Sequence, residues 1–152
     1  MIRMIRTWET EPAFEEWITK SGLTACIKRH EIAGHLCGYV SVPKSNLLFK
    51  KSYYDCLQSP ICNDKKDSGY CEHSMSNLLR VHGGISYAHE KRPAKIGYAE
   101  NDEWCLGFDC GHGGDFSPFI HFSASIGTYK DFEYVKQICE SLAAQISELE
   151  KG

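Results

Sequence analysis

The chain has 152 residues, 42% hydrophobic and 12% aromatic, which predicts a single domain over 1–152 with a sizeable core and excludes disordered, collagenous and low-complexity classes. Seventeen basic residues against twenty acidic ones leave a net charge of -3, and the basic residues are scattered, which disfavours a nucleic-acid polymer as partner. No apolar run approaches the roughly 20 residues of a membrane span, and the opening MIRMIRTWETE lacks an apolar signal core, so a soluble, cytoplasmic protein is expected.

In chain order, the first predicted element is a short amphipathic helix between Thr10 and Lys20. Thr10 would cap it, Pro12 would sit in its first turn, and Phe14, Trp17 and Ile18 lie at helical spacing before Ser21-Gly22 stops it. Strands follow over 23–27 and 35–42. In the second, Leu36, Gly38, Val40 and Val42 alternate with Cys37, Tyr39 and Ser41, and Pro43 ends it because proline cannot donate to a ladder.

Residues 50–77 are polar, lack sustained periodicity and hold Cys56, Cys62 and Cys71, so they read as a long surface excursion that needs tying down. Three strand-like runs come next, LLRVHGGISYA, KIGYAE and WCLGFDC. In the third, Trp104, Leu106, Phe108 and Cys110 share one face, and Cys105, Gly107 and Asp109 the other. GHGGD follows as a tight loop, and FIHFSAS reads as a further strand.

The C-terminal segment is a long helix. Phe132, Val135, Ile138, Cys139, Leu142, Ala143, Ile146 and Leu149 form an apolar stripe, with Thr128 and Asp131 resembling a capping box. Strands joined by short turns between two terminal helices predict an α+β fold, a mainly antiparallel sheet packed by a long C-terminal and a short N-terminal helix.

The chemistry concentrates in VHGG and GFDCGHGGD. Asp109, His112 and Asp115 stand at spacing three and three on a glycine-rich loop, and His82 precedes Gly83 and Gly84 in the same manner. Carboxylate and imidazole lone pairs converging there would suit a divalent cation, zinc or manganese, able to activate water or polarise a phosphoryl oxygen. Alternatively, the N–H groups of Gly83, Gly84, Gly113 and Gly114 would cradle a phosphate without metal, or the same residues would serve only as turns.

Three other strings are weaker. His30, Glu31 and His35 form HExxxH, one residue longer than the zinc-protease string, so its histidines would lie about 140° apart on a helix; a turn is the expectation. Cys56, Cys62, Cys71 and His73 supply enough ligands for a structural zinc that would anchor the excursion, though not at paired CxxC spacing. Cys110 stands two residues from His112, yet alternation puts it on the apolar side, so packing is its expected role. With eight cysteines in 152 residues the chain falls short of a disulfide scaffold, and free thiols are expected.

Taken together, GLTACIKR, HLCGYVSVP, VHGGISYA, WCLGFDCGHGGD and YKDFEYVKQICESLAAQI resemble a family of small bacteriophage and bacterial proteins with a cysteine-glycine-tyrosine strand, an HGG turn and a GFDC-x-H-x-x-D loop. The resemblance spans roughly 22–146 and implies that His82, Gly83, Gly84, Asp109, His112 and Asp115 form one constellation, lined by Tyr39 and Ser86. Relatives often carry histidine-proline after the VP turn, and here Asn46 stands in that place among the ligand-binding positions. A phage context adds a counter-defence reading, in which a host nucleotide messenger is degraded or sequestered.

Three functions follow. The leading one is a metal-assisted hydrolase of a phosphate-containing, nucleotide-like small molecule, with His82, Asp109, His112 and Asp115 as ligands or acid–base groups. The second is a non-catalytic protein that sequesters such a molecule, with Tyr39 or Tyr87 stacking on it. The third is a structural or interaction protein without a ligand.

Overall fold

The computed structural model describes residues 7–57, 72–120 and 127–151. Among them, a single 3-10 turn (Thr7–Glu9) precedes strands β1 (Phe14–Ile18), β2 (Thr24–Arg29) and β3 (Leu36–Pro43). The one-turn helix α1 (Met75–Leu78), strands β4 (Tyr87–Pro93) and β5 (Tyr98–Asp109), and the long helix α2 (Phe132–Lys151) are the other elements of the described residues. The strands pair antiparallel in the order β1-β2-β3-β5-β4. An antiparallel sheet with a long C-terminal helix packed on one face is therefore the observed α+β architecture.

The predicted N-terminal helix is replaced by β1. Its apolar residues are too few to hold a helix face, whereas the strand pairs with β2 from Phe14↔Lys28 to Ile18↔Thr24. Thr19 closes the connecting turn, its hydroxyl donating to the Leu23 carbonyl at 2.8 Å and accepting the Leu23 N–H at 3.1 Å. Helix propensity yields here because pairing with β2 gives the strand backbone partners and a place on the sheet, whereas a helix of about three turns is marginal without a face to pack on.

Two further boundaries differ from expectation. The YAE of KIGYAE runs on into WCLGFDC as one strand, β5, with Lys95, Ile96 and Gly97 in the hairpin turn before it, and the start of LLRVHGGISYA is the end of α1 followed by a loop, so β4 begins only at Tyr87. The cap of α2 is Asp131, whose carboxylate accepts the Tyr134 N–H at 2.9 Å, while Thr128 makes an isolated bridge with Asp115. Phe119 and Ile120 lie in a turn, and the rest of the predicted FIHFSAS strand falls outside the described residues.

The alternation in β3 and β5 divides the sheet. Leu36, Val40, Val42, Leu106, Phe108 and Cys110 pack with Ala25 and Ile27 against Val135, Cys139, Leu142, Ala143 and Ile146 of α2. Burying aliphatic side chains of this size contributes about 1.5–3 kcal/mol each. Tyr39, Asp109 and their cross-strand neighbours occupy the opposite face. Met75 and Leu79 join the core from the end of the excursion, so this segment is anchored through apolar contacts.

The loop after β5 is stitched to the 30–36 turn before β3. Cys110 N–H donates to Leu36 O at 3.0 Å, Phe119 N–H to Ala33 O at 3.0 Å, and Gly34 N–H to His30 O at 2.9 Å. His30, Glu31 and His35 thus belong to a turn, as the HExxxH spacing predicts. Glu11 reaches the other end of the assembly: its carboxylate accepts from Phe132 N–H at 2.7 Å, from Arg29 at 3.3 Å and from the Tyr129 hydroxyl. This network fixes the start of α2 beside the glycine-rich loop. No helix among the described residues is long and apolar enough to cross a membrane.

Candidate functional site

Asp115 is the most enclosed polar group of the constellation, with a side chain only 2% exposed. Its oxygens accept from His82 Nε2 at 2.7 and 3.0 Å, from the His112 backbone N–H at 3.1 Å and pair with Lys130 Nζ at 3.1 Å. Burial pushes the carboxyl pKa up, but the bonds from His82, Lys130 and the His112 N–H outweigh it and hold Asp115 below the usual carboxylate range. Charge-assisted bonds of this kind are about twice as strong as neutral ones. Asp115 is a clasp holding the HGG loop, the GHGGD loop and the residues before α2.

His82 is engaged at both nitrogens. Nε2 faces Asp115, and Nδ1 lies 2.9 Å from the Tyr134 hydroxyl. In the neutral imidazole with the proton on Nε2, Nδ1 accepts the Tyr134 O–H. Tyr134 stands in the first turn of α2, its ring edge-on to His82 at 5.5 Å.

The second pair is more open. His112 Nε2 lies 3.4 Å from Asp109 Oδ1, with side chains 40% and 31% exposed. Asp109 is in turn aligned by Ser86, whose hydroxyl donates to Oδ2 at 3.2 Å, and by Gly111, whose N–H donates to Oδ1 at 2.9 Å. The two imidazole centroids are 6.3 Å apart at 52°, so both pairs occupy one end of the sheet.

Gly83 sets that spacing. A Cβ there would come within 2.2 Å of the His112 ring, and its φ of +71° is one that other residues adopt at a cost. On the other side of the loop His35 packs under Gly111, where a Cβ would meet its ring at 2.6 Å, and His35 Nδ1 lies 3.3 Å from Ser117 Oγ. A hollow of about 330 Å³ is lined by Gly111, His112, Gly113, Gly114, Ser117 and Gly127 among others. Comparison with protein-family models, curated proteins and solved structures finds no match.

The structure brings His82, Gly83, Ser86, Asp109, His112, Gly113, Gly114 and Asp115 to one end of the sheet, with Gly84 in the HGG turn. Tyr39 and Tyr87 lie on the face that carries Asp109, edge-on to each other at 5.3 Å. Asn46 is elsewhere. It follows Pro43 at the far end of β3, where its carboxamide accepts the Leu48 N–H, and the adjacent Leu47 N–H donates to Glu150. Tyr134 and Glu150 are separated by most of α2, about 24 Å at 1.5 Å per residue, so Asn46 does not reach the imidazoles. The VP turn directs the chain away from them.

Among the described residues, no three His, Cys, Asp or Glu side chains are grouped as ligands of one ion. The lone pairs of the four expected ligands are instead turned toward hydrogen-bond donors and one another. Of the expected structural zinc set, Cys62 and Cys71 lie outside the described residues. Cys56 bridges Ser74, and Leu57 N–H donates to His73 O, so the two ends of the excursion are paired by their backbones. Cys26, Cys37, Cys56, Cys105, Cys110 and Cys139 carry free thiols. Burial pushes the Cys37 thiol up to about 12 and Cys110 higher still, which suits packing and not nucleophilic attack.

Lys130, Tyr134 and His35 were not legible as parts of the site. Tyr134 gives a faint signal: it is an aromatic residue off the apolar stripe of α2, one position before Val135. Lys130 and His35 give none, because only the folded chain brings them under the loop.

Proposed function

We propose that the protein hydrolyses a small phosphate-containing molecule of nucleotide type, with the phosphate seated on the 111–114 loop and the His112–Asp109 pair as its acid–base group. The observation that carries this is an open imidazole–carboxylate pair held beside a buried, fully bonded one at a glycine-lined hollow. His112 would take a proton from the attacking water as the new P–O bond forms and the ester P–O bond breaks, the departing oxygen taking its proton from solvent and His112 releasing its own to solvent afterwards, with Asp109 orienting the ring and balancing the imidazolium charge. His82 and Asp115 act as the frame, since their polar atoms are already engaged. Glycines leave the backbone of the loop free to approach an anion closely.

Were a divalent cation bound, Asp109 and His112 would be the residues to hold it, and it would supply a polarised water and charge stabilisation for the phosphate. Asp115 is committed to the Lys130 ammonium. Dialysis against EDTA tests this form: turnover that is lost and then restored by zinc or manganese shows that a cation takes part, and metal uptake that fails in Asp109→Ala and His112→Ala assigns it to these residues. Turnover that survives leaves the pair acting alone.

The deciding experiment incubates the protein with nucleoside monophosphates, diphosphates and cyclic nucleotides and follows products by chromatography. Hydrolysis that disappears in His112→Ala, with the fold intact, supports the proposal. Recovery of a bound nucleotide unchanged after denaturation replaces it with sequestration.

A further inference from the structure

The face of the sheet opposite α2 holds a second concavity. The β4–β5 hairpin bends at the irregular pairing between His89 and Lys91, and its tip reaches across to β2, where Lys28 Nζ donates to Gly97 O at 3.2 Å and Cys26 Sγ lies 3.7 Å from Pro93 O. Between tip and sheet lies a cleft of about 310 Å³ whose walls include Lys28, His30, Ile32, Cys37, Tyr39 and Tyr98. Ile32 is 76% and Tyr98 61% exposed at its rim, and Ile96 at the hairpin tip is 90% exposed. Large apolar side chains left open around a concave site that also holds a few polar groups are the usual surroundings of a small-molecule ligand.

Strand register ties this cleft to the acid–base pair. Lys28 pairs with Cys37 and Cys37 with Asp109, so the three stand in one row across β2, β3 and β5 on the same face. With neighbouring strands about 4.8 Å apart, Asp109 is one strand from the cleft wall and two from Lys28. In the next row Tyr39 pairs with Gly107, and its ring lies over that glycine.

We infer that this cleft is the ring-binding half of the same site, accepting the planar heteroaromatic ring of a phosphorylated nucleoside whose phosphate reaches His112 and the 111–114 loop. Tyr98 supplies an exposed aromatic ring at the rim, whose face turned away from Lys28 is open to stacking, and the Lys28 ammonium, 5.7 Å from the ring centre on the other face, donates to ring nitrogens or carbonyls at the edge of the base. Tyr39 forms the floor, and the Cys37 row lies under the sugar. The assignment of the phosphate end rests on the function proposed above, whereas the cleft itself does not.

Amide shifts of the isotopically labelled protein separate the two. Adenosine, cytidine and uridine are titrated one at a time, and inorganic phosphate separately. At least one nucleoside is expected to move the amides of Lys28, Tyr39, Gly97 and Tyr98, and phosphate those of Gly111, Gly113 and Gly114. Tyr98→Ala, at an exposed hairpin position, should weaken the nucleoside about tenfold and leave phosphate unchanged. If none of the three nucleosides moves the cleft amides, or if Tyr98→Ala binds them as well as the parent, the cleft assignment is overturned. Phosphate failing at the loop while a nucleoside binds the cleft overturns the hydrolase proposal instead.

Discussion

The two imidazole–carboxylate pairs have the same chemistry and opposite situations. His82–Asp115 is closed, with a carboxylate 2% exposed and donors from three segments, whereas His112–Asp109 is open, with roughly a third of each side chain exposed and a separation of 3.4 Å. A buried carboxylate with its hydrogen bonds satisfied positions chain segments, and removing it leaves its donors unpaired in a poorly solvated place. An exposed pair contributes little to stability and is free to exchange protons with a ligand. Burial, not residue type, separates a structural clasp from a reactive pair here.

Asp115→Ala should break that contrast most severely. It strips His82, Lys130 and the His112 N–H of their common partner, and a loss of about 3–5 kcal/mol in urea unfolding is expected. His112→Ala should do the reverse: turnover falls by about a hundredfold or more, while stability stays within about 0.5 kcal/mol of the parent. Equal stability losses in the two variants would show that the pairs do not differ as described.

Gly83→Ala probes the coupling between them. Its Cβ would strike the His112 ring and require an unfavourable φ, so a loss of about 1–2 kcal/mol is expected together with reduced turnover, although no titrating group is removed. Tyr134→Phe removes one hydrogen bond from His82 and should cost about 1 kcal/mol in the same unfolding assay.

The smallest effect concerns pH. Burial, and then the stacked ring of His30, push the His35 imidazole pKa below its ordinary value of 6.5, partly offset by Asp109 and Asp115. The unfolded chain therefore binds this proton first as pH falls, so stability contributed by neutral His35 is present above 6.5 and declines below it, toward the folded value. Unfolding midpoints measured from about pH 8 to about pH 5 should decline less steeply in His35→Gln than in the parent.

Much of the site was legible beforehand because its residues cluster along the chain. Asp109, His112 and Asp115 fall within seven residues, and the HGG turn repeats the glycine pattern, so a single loop system was a sound expectation. The strand faces of β3 and β5 were equally legible from alternation with period two. The segment with Phe14, Trp17 and Ile18 fits a helical as well as a strand period, and only pairing with β2 chooses the strand. Asn46 follows a motif in the sequence, but the path of the chain beyond Pro43 carries it away from the two loops.

Composition alone singles out cysteine, histidine and glycine, and the sequence by itself determined which residues gather in the two loops and which strand face is apolar, since both are consequences of local spacing. It did not determine which carboxylate serves which imidazole. Only the tertiary structure decided that, by bringing Lys130, Tyr134 and the His112 N–H to bear on the inner pair, because burial and hydrogen-bond supply belong to packing among segments far apart in the chain.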